Sequence, residues 1–321
     1  MSEQPIFKRV AIIGVGLIGS SLALAIRANG LAAHVTCHDA DADVRKRVDD
    51  LAIADSVHAE IGDAVDAADL VIVATPVGAC GAVAAAMAPH LATGAIVTDV
   101  GSVKGSVLAA MRPHLPEGVH LVPGHPVAGT EHSGPEAGFA ELFQDRFSIL
   151  TPPADADAAA VARLEALWRG MGAHVEIMDA EHHDRVLAIT SHLPHLIAYT
   201  IVATASDLEN ELKAKSEDDE VVTTREVIKY SAGGFRDFTR IAASDPVMWR
   251  DVFLLNKDAV LEMLGRFNED LTALQRAIRH DDGDALFDLF SRTRDIRRGV
   301  IEARQAGRFQ YTENGDGGDD A

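Results

Sequence analysis

The stretch RVAIIGVGLIGSSLALAIRA, from Arg9 to Ala28, decides the fold of the first half of the chain. Its β-branched start, Arg9–Ile13, predicts a strand, and Ser20–Ala28 predicts a helix. The turn between them carries three glycines, Gly14, Gly16 and Gly19. The first permits a tight turn, the second lets the backbone approach a pyrophosphate, and the third lets the helix pack closely on the strand. The spacing therefore predicts a dinucleotide-binding unit.

The predicted cofactor site extends to both sides of this turn. Leu17 and Ile18 open the helix, whose N-terminus places partial positive charge near the phosphates. A second predicted strand, His34–His38, ends at Asp39, about 20 residues after the last glycine, where an acidic side chain binds the adenosine ribose hydroxyls. No arginine follows Asp39 directly to accept a 2′-phosphate, which favours NAD over NADP. In the alternative interpretation, Asp39 is the N-cap of the next helix.

A doubly wound, largely parallel sheet is predicted by the segments that follow. Apolar runs alternate there with helix-like segments, at Leu70–Ala74, Ala95–Thr98, His120–Val122 and Arg146–Leu150. Ligands of such sheets bind beyond the carboxyl ends of the strands. Polar groups follow three of the runs, at Thr75-Pro76, Asp99–Lys104 and Gly124–Pro126. We therefore place Thr75 and Pro76 in the cofactor site, and His125 at the same rim, in a loop that Pro126 biases towards extended backbone.

The second half of the chain is predicted to be all-α. After Asp179 the strand-like runs stop and segments with a 3.6-residue period take over. They are a helix Glu181–Asp207 kinked at Pro194, a helix from Asp245-Pro246 with an apolar stripe to Ile278, and a helix Ala285–Arg304. An acidic segment, Lys213–Thr224, predicts an intervening loop. A homodimer is the simplest way to cover the apolar stripes of these helices.

We therefore expect the chain to divide into three parts. They are a dinucleotide-binding domain, 1–179, a helical substrate and dimerisation domain, 180–306, and a disordered acidic tail, 307–321.

Composition argues against several classes of protein. The net charge is −20, with 29 Lys and Arg against 49 Asp and Glu, and no basic stripe suggests nucleic-acid binding. No apolar run approaches the roughly 20 residues of a membrane span, and the start MSEQPIFKRV lacks the apolar segment of a signal peptide. We expect a cytoplasmic protein. Two cysteines, Cys37 and Cys80, are too few for a disulfide framework or a structural zinc site, so no metal is expected.

Six motifs spread over nearly the whole chain resemble one family. They are GVGLIGSSLA at 14–23, ATPV at 74–77, DVGSVK at 99–104, GHPVAGTEHSG at 124–134, TSHLPH at 190–195 and GGFRDFTRIAASDPVMWRD at 233–251. In this order they resemble the prephenate and arogenate dehydrogenases of tyrosine biosynthesis. No chorismate mutase-like or regulatory domain is recognisable, so the chain resembles the single-activity form.

The resemblance implies a reaction and a set of residues for it. Prephenate would lose a hydride to NAD and its ring carboxylate as carbon dioxide, giving 4-hydroxyphenylpyruvate. His125 would take the proton of the ring hydroxyl, and Ser102 would orient His125 near the nicotinamide. The residues implied for substrate binding are His195, Arg240, Thr130 and, from the neighbouring subunit, Trp249.

General chemistry agrees with these roles. A neutral imidazole, with an ordinary pKa near about 6.5, suits proton removal at cellular pH. A dianionic substrate needs local cations, and the guanidinium of Arg240 can bind a carboxylate through two hydrogen bonds.

Alternatives remain for the activity as a whole. The enzyme could instead use arogenate, or accept both substrates. Arogenate differs from prephenate only at the side chain, and no residue of the sequence decides between the two substrates. A β-hydroxyacid dehydrogenase would use Lys104 as its acid and base. A non-catalytic NAD-sensing module would keep the glycines and Asp39 but would not need His125, His195 and Arg240 together.

Individual residues also have structural alternatives. Ser102 is a candidate N-cap for a helix starting at Val103. His195 is a candidate partner for the backbone carbonyl that the kink at Pro194 frees. Four further histidines are predicted to be structural or exposed, and are left out of the site: His132, His182, His183 and His192.

Overall fold

The computed structural model describes residues 4–130, 132–215 and 233–302. The predicted tail, 307–321, and residues 216–224 of the acidic segment lie outside this part of the chain. Residues 213–215, which we expected to begin that loop, are instead the last turn of a helix.

The first half is built on a six-stranded sheet in which every neighbouring pair is parallel. Its strands are β1 (Phe7–Ile13), β2 (Ala32–His38), β3 (Ser56–His58), β4 (Leu70–Val73), β5 (Ile96–Asp99) and β6 (His120–Leu121). The strand order is β3-β2-β1-β4-β5-β6, that of a dinucleotide-binding Rossmann fold. The predicted fold class is confirmed.

Helices cover both faces of this sheet. They are α1 (Leu17–Ala28), α2 (Ala42–Asp50), α3 (Ile61–Val65), α4 (Cys80–Met87), α5 (Gly105–Met111) and α6 (Ala158–Gly170). Two separate clusters of buried apolar side chains result. Trp168 on α6 is fully buried in one, with Phe143 edge-on at 5.4 Å between ring centroids. Because both faces are covered, the strands are apolar runs rather than alternating ones.

A second, three-stranded sheet corrects two expectations. Its strands are β7 (Gly124–Pro126), β8 (Phe147–Leu150) and β9 (His174–Ile177). β7 pairs antiparallel with β8, and β8 pairs parallel with β9. The run near residues 146–150 therefore does not extend the parallel sheet, and His125 lies in a strand, opposite Ile149, rather than in a loop.

The long helix of the second half is interrupted where Pro194 requires it. It consists of α7 (Ala180–Leu187), a π-helical turn (Ala188–His192) and α8 (Leu193–Lys215). Proline has no N–H to continue the helical ladder, and the wider π turn directly before it absorbs the mismatch.

The expectation that no apolar run approaches the length of a membrane span is wrong for this segment. The stretch Ala180–Glu211 is long and apolar enough, by length and composition alone, to cross a membrane. The core helix of a soluble protein meets the same test. Here the segment contains the buried polar residues His183, Asp184 and His192, which contact the Rossmann half.

The remaining helices are α9 (Gly233–Thr239), α10 (Pro246–Leu255), α11 (Lys257–Arg279) and α12 (Gly283–Glu302). Asp245 caps α10 by accepting a hydrogen bond from the N–H of Met248, as its Asp-Pro start predicts. The single helix expected from there to Ile278 is instead two, separated at Asn256. The buried side chain of Asn256 donates to the carbonyl of Asp184, which turns this residue inward.

Candidate active site

The glycine turn after β1 has the geometry of a phosphate-binding turn. Gly14 has a φ of 93°, and a Cβ there would lie 2.7 Å from the carbonyl oxygen of Ala74. A Cβ on Gly19 would lie 2.0 Å from the carbonyl oxygen of Gly14, so α1 packs directly on the turn. A Cβ on Gly16 would meet no described atom within 4 Å other than those of its own chain neighbours and helix backbone. The N-terminus of α1 therefore faces open space, as a pyrophosphate requires.

Asp39 lies beside this turn at the end of β2. Its carboxylate accepts hydrogen bonds from the N–H of Val15 at 2.8 Å and of Asp41 at 3.0 Å. The helix α2 is capped by Asp41, which accepts from the N–H of Asp43, so the interpretation of Asp39 as the N-cap is wrong. Arg45 donates to the backbone carbonyl of Asp39 at 2.7 Å. The carboxylate is thus held at the edge of the open space above the glycines.

His125 is 8% exposed, and its ring is held by a second histidine. Its Nδ1 lies 2.9 Å from Nε2 of His183, whose Nδ1 lies 2.8 Å from a carboxylate oxygen of Asp184. Burial lowers the pKa of His125 well below its usual range, and the neighbouring His183 and Lys104 add to this effect. The imidazole of His125 is therefore neutral at cellular pH.

Asp184 is fixed by several donors at once. It accepts hydrogen bonds from the N–H of Lys104 at 2.8 Å and of Gly105 at 2.9 Å, as well as facing His183. Burial alone would raise its pKa, but these hydrogen bonds hold the pKa of Asp184 below its ordinary value. Burial lowers the pKa of His183, against the opposing effect of Asp184. The pair is a carboxylate beside a neutral imidazole.

Sequence reasoning left His183 out of the site and did not consider Asp184. Both residues lie on α7, about 60 positions after His125 in the chain, and no local spacing connects them. Only the packing of α7 against the DVGSVK segment brings them to His125.

Lys104 is fully buried, and its ammonium has two partners among the described residues. Its ammonium forms an ion pair with Asp99 and donates to the carbonyl of Gly124 at 2.5 Å. Burial and pairing of this lysine argue against the β-hydroxyacid interpretation, in which Lys104 is the acid and base. The lysine instead ties the end of β5 to β7, the strand of His125.

Ser102 lies half-buried in the same segment, between β5 and α5. It is not an N-cap, because α5 begins at Gly105 and its first N–H groups are bonded by Asp184. Among the described residues, the hydrogen bond that orients His125 comes from His183 rather than from Ser102.

His195 and Trp249 form the part of the candidate site that lies on the helical half. Their rings are stacked, with centroids 3.6 Å apart and planes at 24°. Nδ1 of His195 donates to the carbonyl of Ser191 at 2.8 Å, the contact expected of a histidine after the kink. Burial lowers the pKa of His195, the hydrogen bond to the Ser191 carbonyl opposes this effect, and the charge of Arg240 lowers the pKa further.

Within one chain, Trp249 belongs to the same site as His195, and its contribution to the site of a neighbouring subunit stays a prediction. Trp249 lies on α10 of the same chain, only 6% exposed, and packs against His195 there. The helix reaches the Rossmann half as well: a Cβ on Gly78 would lie 2.7 Å from a carboxylate oxygen of Asp251.

His192 joins the two sides of the site. It is fully buried in the π turn, and its Nδ1 accepts a hydrogen bond from the amide of Asn256 at 3.1 Å. Its ring faces the backbone of Ser102 and lies edge-on to Trp249, with centroids 6.1 Å apart. Burial lowers its pKa to about 4.

The remaining predicted residues lie at the margin. Thr75 is half-buried and Pro76 exposed directly after β4, beside the turn at Gly14. Thr130 is exposed after β7, where its hydroxyl accepts from the N–H of His132 at 3.2 Å. The contacts found among the described residues do not join Thr130 to His125 or to His195.

Two family models match the chain. One describes the nucleotide-binding domain of prephenate dehydrogenase and matches residues 22–177, and the other describes its dimerization domain and matches residues 179–292. A cyclohexadienyl dehydrogenase of Zymomonas mobilis is 46% identical, covering 91% of this chain and 96% of its own length. A prephenate dehydrogenase of Bacillus subtilis is 34% identical, covering 93% of this chain and 77% of its own length.

A solved structure shows the same similarity. The prephenate dehydrogenase of Aquifex aeolicus, in complex with hydroxyphenyl propionate and NAD⁺, aligns with a TM-score of 0.80 and 33% identity. The alignment covers 91% of this chain and 98% of that one.

Proposed function

Because the chain belongs to the prephenate dehydrogenase family, we propose that it catalyses the NAD-dependent oxidative decarboxylation of prephenate to 4-hydroxyphenylpyruvate. The observation that carries this proposal is the buried, neutral His125 at the seam between the glycine turn and the helical half. A base there can serve a substrate that lies between the cofactor and α8.

The described residues support NAD as the cofactor. The open space above Gly16 accommodates a pyrophosphate, and the carboxylate of Asp39 can accept hydrogen bonds from both ribose hydroxyls of adenosine. When bound, NAD accepts the hydride. The solved relative from Aquifex aeolicus contains NAD⁺ and supports the same choice.

His125 acts as the general base. As the hydride leaves the carbinol carbon of the substrate, the hydroxyl proton passes to the free nitrogen of His125, which leaves a ring carbonyl. The carbon–carbon bond to the ring carboxylate then breaks and releases carbon dioxide. Its electron pair completes the aromatic ring, and the oxygen takes back a proton to give the phenol.

His195 and Arg240 bind the substrate. Nδ1 of His195 donates to the Ser191 carbonyl, so its Nε2 is an acceptor whose position is fixed by the stacked Trp249. Arg240 supplies a cation for a carboxylate of the dianion, in a protein whose net charge is −20. We assign Thr130 and Ser102 to the margin of the same pocket.

A second candidate function has a specific observation in its favour. The relative from Zymomonas mobilis, 46% identical, is a cyclohexadienyl dehydrogenase, which favours acceptance of both prephenate and arogenate. Initial rates of NADH formation with each purified substrate distinguish the two proposals. Prephenate turnover that exceeds arogenate turnover by tenfold or more supports the narrower function; comparable rates support the broader one.

The general proposal has its own test. We expect His125→Asn to lower kcat by about 10²-fold or more, the scale of general base catalysis, while NADH still binds. Exposed His182→Asn is the matched control. Full activity of His125→Asn, or no NADH formation by the wild-type enzyme with either substrate, would contradict the proposal.

We also propose a homodimer formed through the helical half. The matched dimerization domain supports it, and so do large apolar side chains that lie exposed on α11 and α12: Leu261, Leu271, Ile278, Phe287, Phe290 and Ile296. We also propose a boundary between the two domains after Asp179, which is supported by family matches that end at residue 177 and begin at residue 179.

A further inference from the structure

The hydrogen bonds behind His125 form a one-way chain. Asp184 is held as a carboxylate by its contacts with the backbone N–H groups of Lys104 and Gly105, and a carboxylate can only accept hydrogen bonds. At 2.8 Å from Asp184, Nδ1 of His183 must therefore carry a proton.

The proton on Nδ1 of His183 determines which ring nitrogen donates in the contact between His183 and His125. His183 is fully buried and neutral, so its Nε2 has no proton and is an acceptor. The group 2.9 Å away is Nδ1 of His125, which must then be the donor. In neutral His125 the other nitrogen, Nε2, is left with a lone pair.

We infer that His183 and Asp184 are positioning residues that fix the tautomer of His125, so that Nε2 is always the unprotonated base. The inference rests on the proposed function, because it assigns a role to the base of that reaction. His183 and Asp184 belong to α7, the first helix of the helical half, whereas His125 belongs to the Rossmann half. His125 therefore has the tautomer with an unprotonated Nε2 fixed only when the two halves are packed together.

The same chain stabilises the charge that forms during the reaction. When Nε2 of His125 takes the substrate proton, the ring becomes an imidazolium, whose Nδ1–H still donates to His183. Because Asp184 holds His183 in the orientation that accepts, its negative charge lies in line behind the new cation.

The tautomer can be measured without catalysis. In the full-length protein with ¹⁵N-labelled histidine, near neutral pH, we expect the Nδ1 of His125 to give the shift of a protonated ring nitrogen and its Nε2 that of an unprotonated one. The signals are assigned by their loss in His125→Asn. An unprotonated Nδ1 in the wild-type protein would overturn the inference, whatever the enzyme's substrate.

Variants of His183 test the consequence for catalysis. His183→Phe keeps an aromatic ring but removes the acceptor, so we expect kcat to fall roughly 10- to 100-fold with the KM values unchanged, and His125 to populate both tautomers. His183→Gln retains an acceptor near the position of Nε2 and should recover most of the activity. The exposed neighbour His182→Phe is the matched control and should behave as wild type.

These outcomes separate the two proposals. Equal loss of activity in His183→Phe and His183→Gln, with an unchanged tautomer of His125, would mean that His183 only fills space and would overturn the inference. An inactive wild-type enzyme with the expected tautomer would contradict the proposed function alone. Should His183→Phe not fold, the tautomer of His125 in the wild-type protein still decides.

Discussion

The histidines at the seam make the stability of the protein sensitive to acid. His192 is fully buried between Asn256 and Trp249, and its pKa is lowered from 6.5 to about 4. In the unfolded chain it titrates at its ordinary value, so between these two pH values the unfolded state binds more protons than the native state. The free energy of unfolding must therefore fall as the pH drops through this window.

We expect this loss to reach on the order of 3 kcal/mol for His192 alone at pH 4, from about 1.4 kcal/mol per pKa unit. Urea unfolding of the wild-type protein and of His192→Gln between pH 7 and pH 4 measures it. The variant should lose less stability on acidification, whereas the exposed control His114→Gln should follow the wild type. Parallel curves for His192→Gln and wild type would contradict the expectation.

Lys104 gives a second prediction at this scale. Its ammonium is buried against Asp99 and the carbonyl of Gly124, so Lys104→Met leaves the Asp99 carboxylate buried without its cation. Breaking such a pair costs roughly 3–5 kcal/mol. Chemical denaturation should show this loss, while exposed Lys257→Met should not. Lys104→Met with wild-type stability and no turnover would instead restore the acid-base role of this lysine.

Single residues also show where sequence reasoning stops. His125 was found because Gly and Pro around it mark the rim of the sheet, and Asp39 because its distance from the glycines is set by the βαβ unit. His183 and Asp184 carry no such signal. Their relation to His125 arises from the packing of α7 on the segment before α5, which involves contacts about 80 residues apart.

At the scale of elements, the strand–turn–helix unit was predictable because its causes are local. Glycine readily adopts the φ of 93° at position 14, and at position 19 any Cβ would lie only 2.0 Å from the carbonyl oxygen of Gly14. The second sheet was not predictable in the same way. β7 and β8 are short, and their pairing depends on register between distant segments rather than on any period in the sequence.

The two helix interruptions, at Pro194 and Asn256, also differ in how far the sequence predicts them, since one has a local cause and the other a distant one. Pro194 predicts a kink from the sequence alone. The form of the interruption, a π turn before the proline, depends on packing. Asn256 lies within a continuous apolar stripe, and no residue pattern there predicts the end of a helix. It ends α10 because its buried amide is drawn to Asp184 and His192.

The end of β2 allows a test of cofactor choice. Asp39 is fixed by the N–H groups of Val15 and Asp41, so its carboxylate is positioned for a ribose and would repel a 2′-phosphate. We expect Asp39→Ala to weaken NADH binding and to narrow the preference for NAD over NADP, measured as the ratio of kcat/KM values.

The adjacent Asp41→Ala is the matched control for Asp39→Ala. It removes the cap of α2, which costs about 1 kcal/mol of stability, but leaves the cofactor ratio unchanged. If Asp39→Ala discriminates between the cofactors as the wild type does, Asp39 does not belong to the ribose site.

At the scale of the whole molecule, the two halves differ in how far they bury their apolar side chains. The Rossmann half buries its apolar side chains in two clusters, whereas α11 and α12 leave large ones in solvent, including Phe287 at 70% and Ile278 at 64% exposed. Exposed apolar faces of this size mark an interface. In a chain with a dimerization domain, a second copy covers them most simply, since a two-fold axis places the same helices against each other.

This dimer can be broken without touching the active site. Phe287 and Phe290 lie one turn apart on α12, and the double substitution Phe287→Asp, Phe290→Asp places two carboxylates where each partner would bury a ring. We expect sedimentation equilibrium at micromolar concentration to give twice the chain mass for the wild type and the chain mass for the variant. Leu51→Asp, at an exposed apolar site on the Rossmann half, should remain dimeric. A monomeric wild type, or a dimeric double variant, would show that these helices do not form the interface.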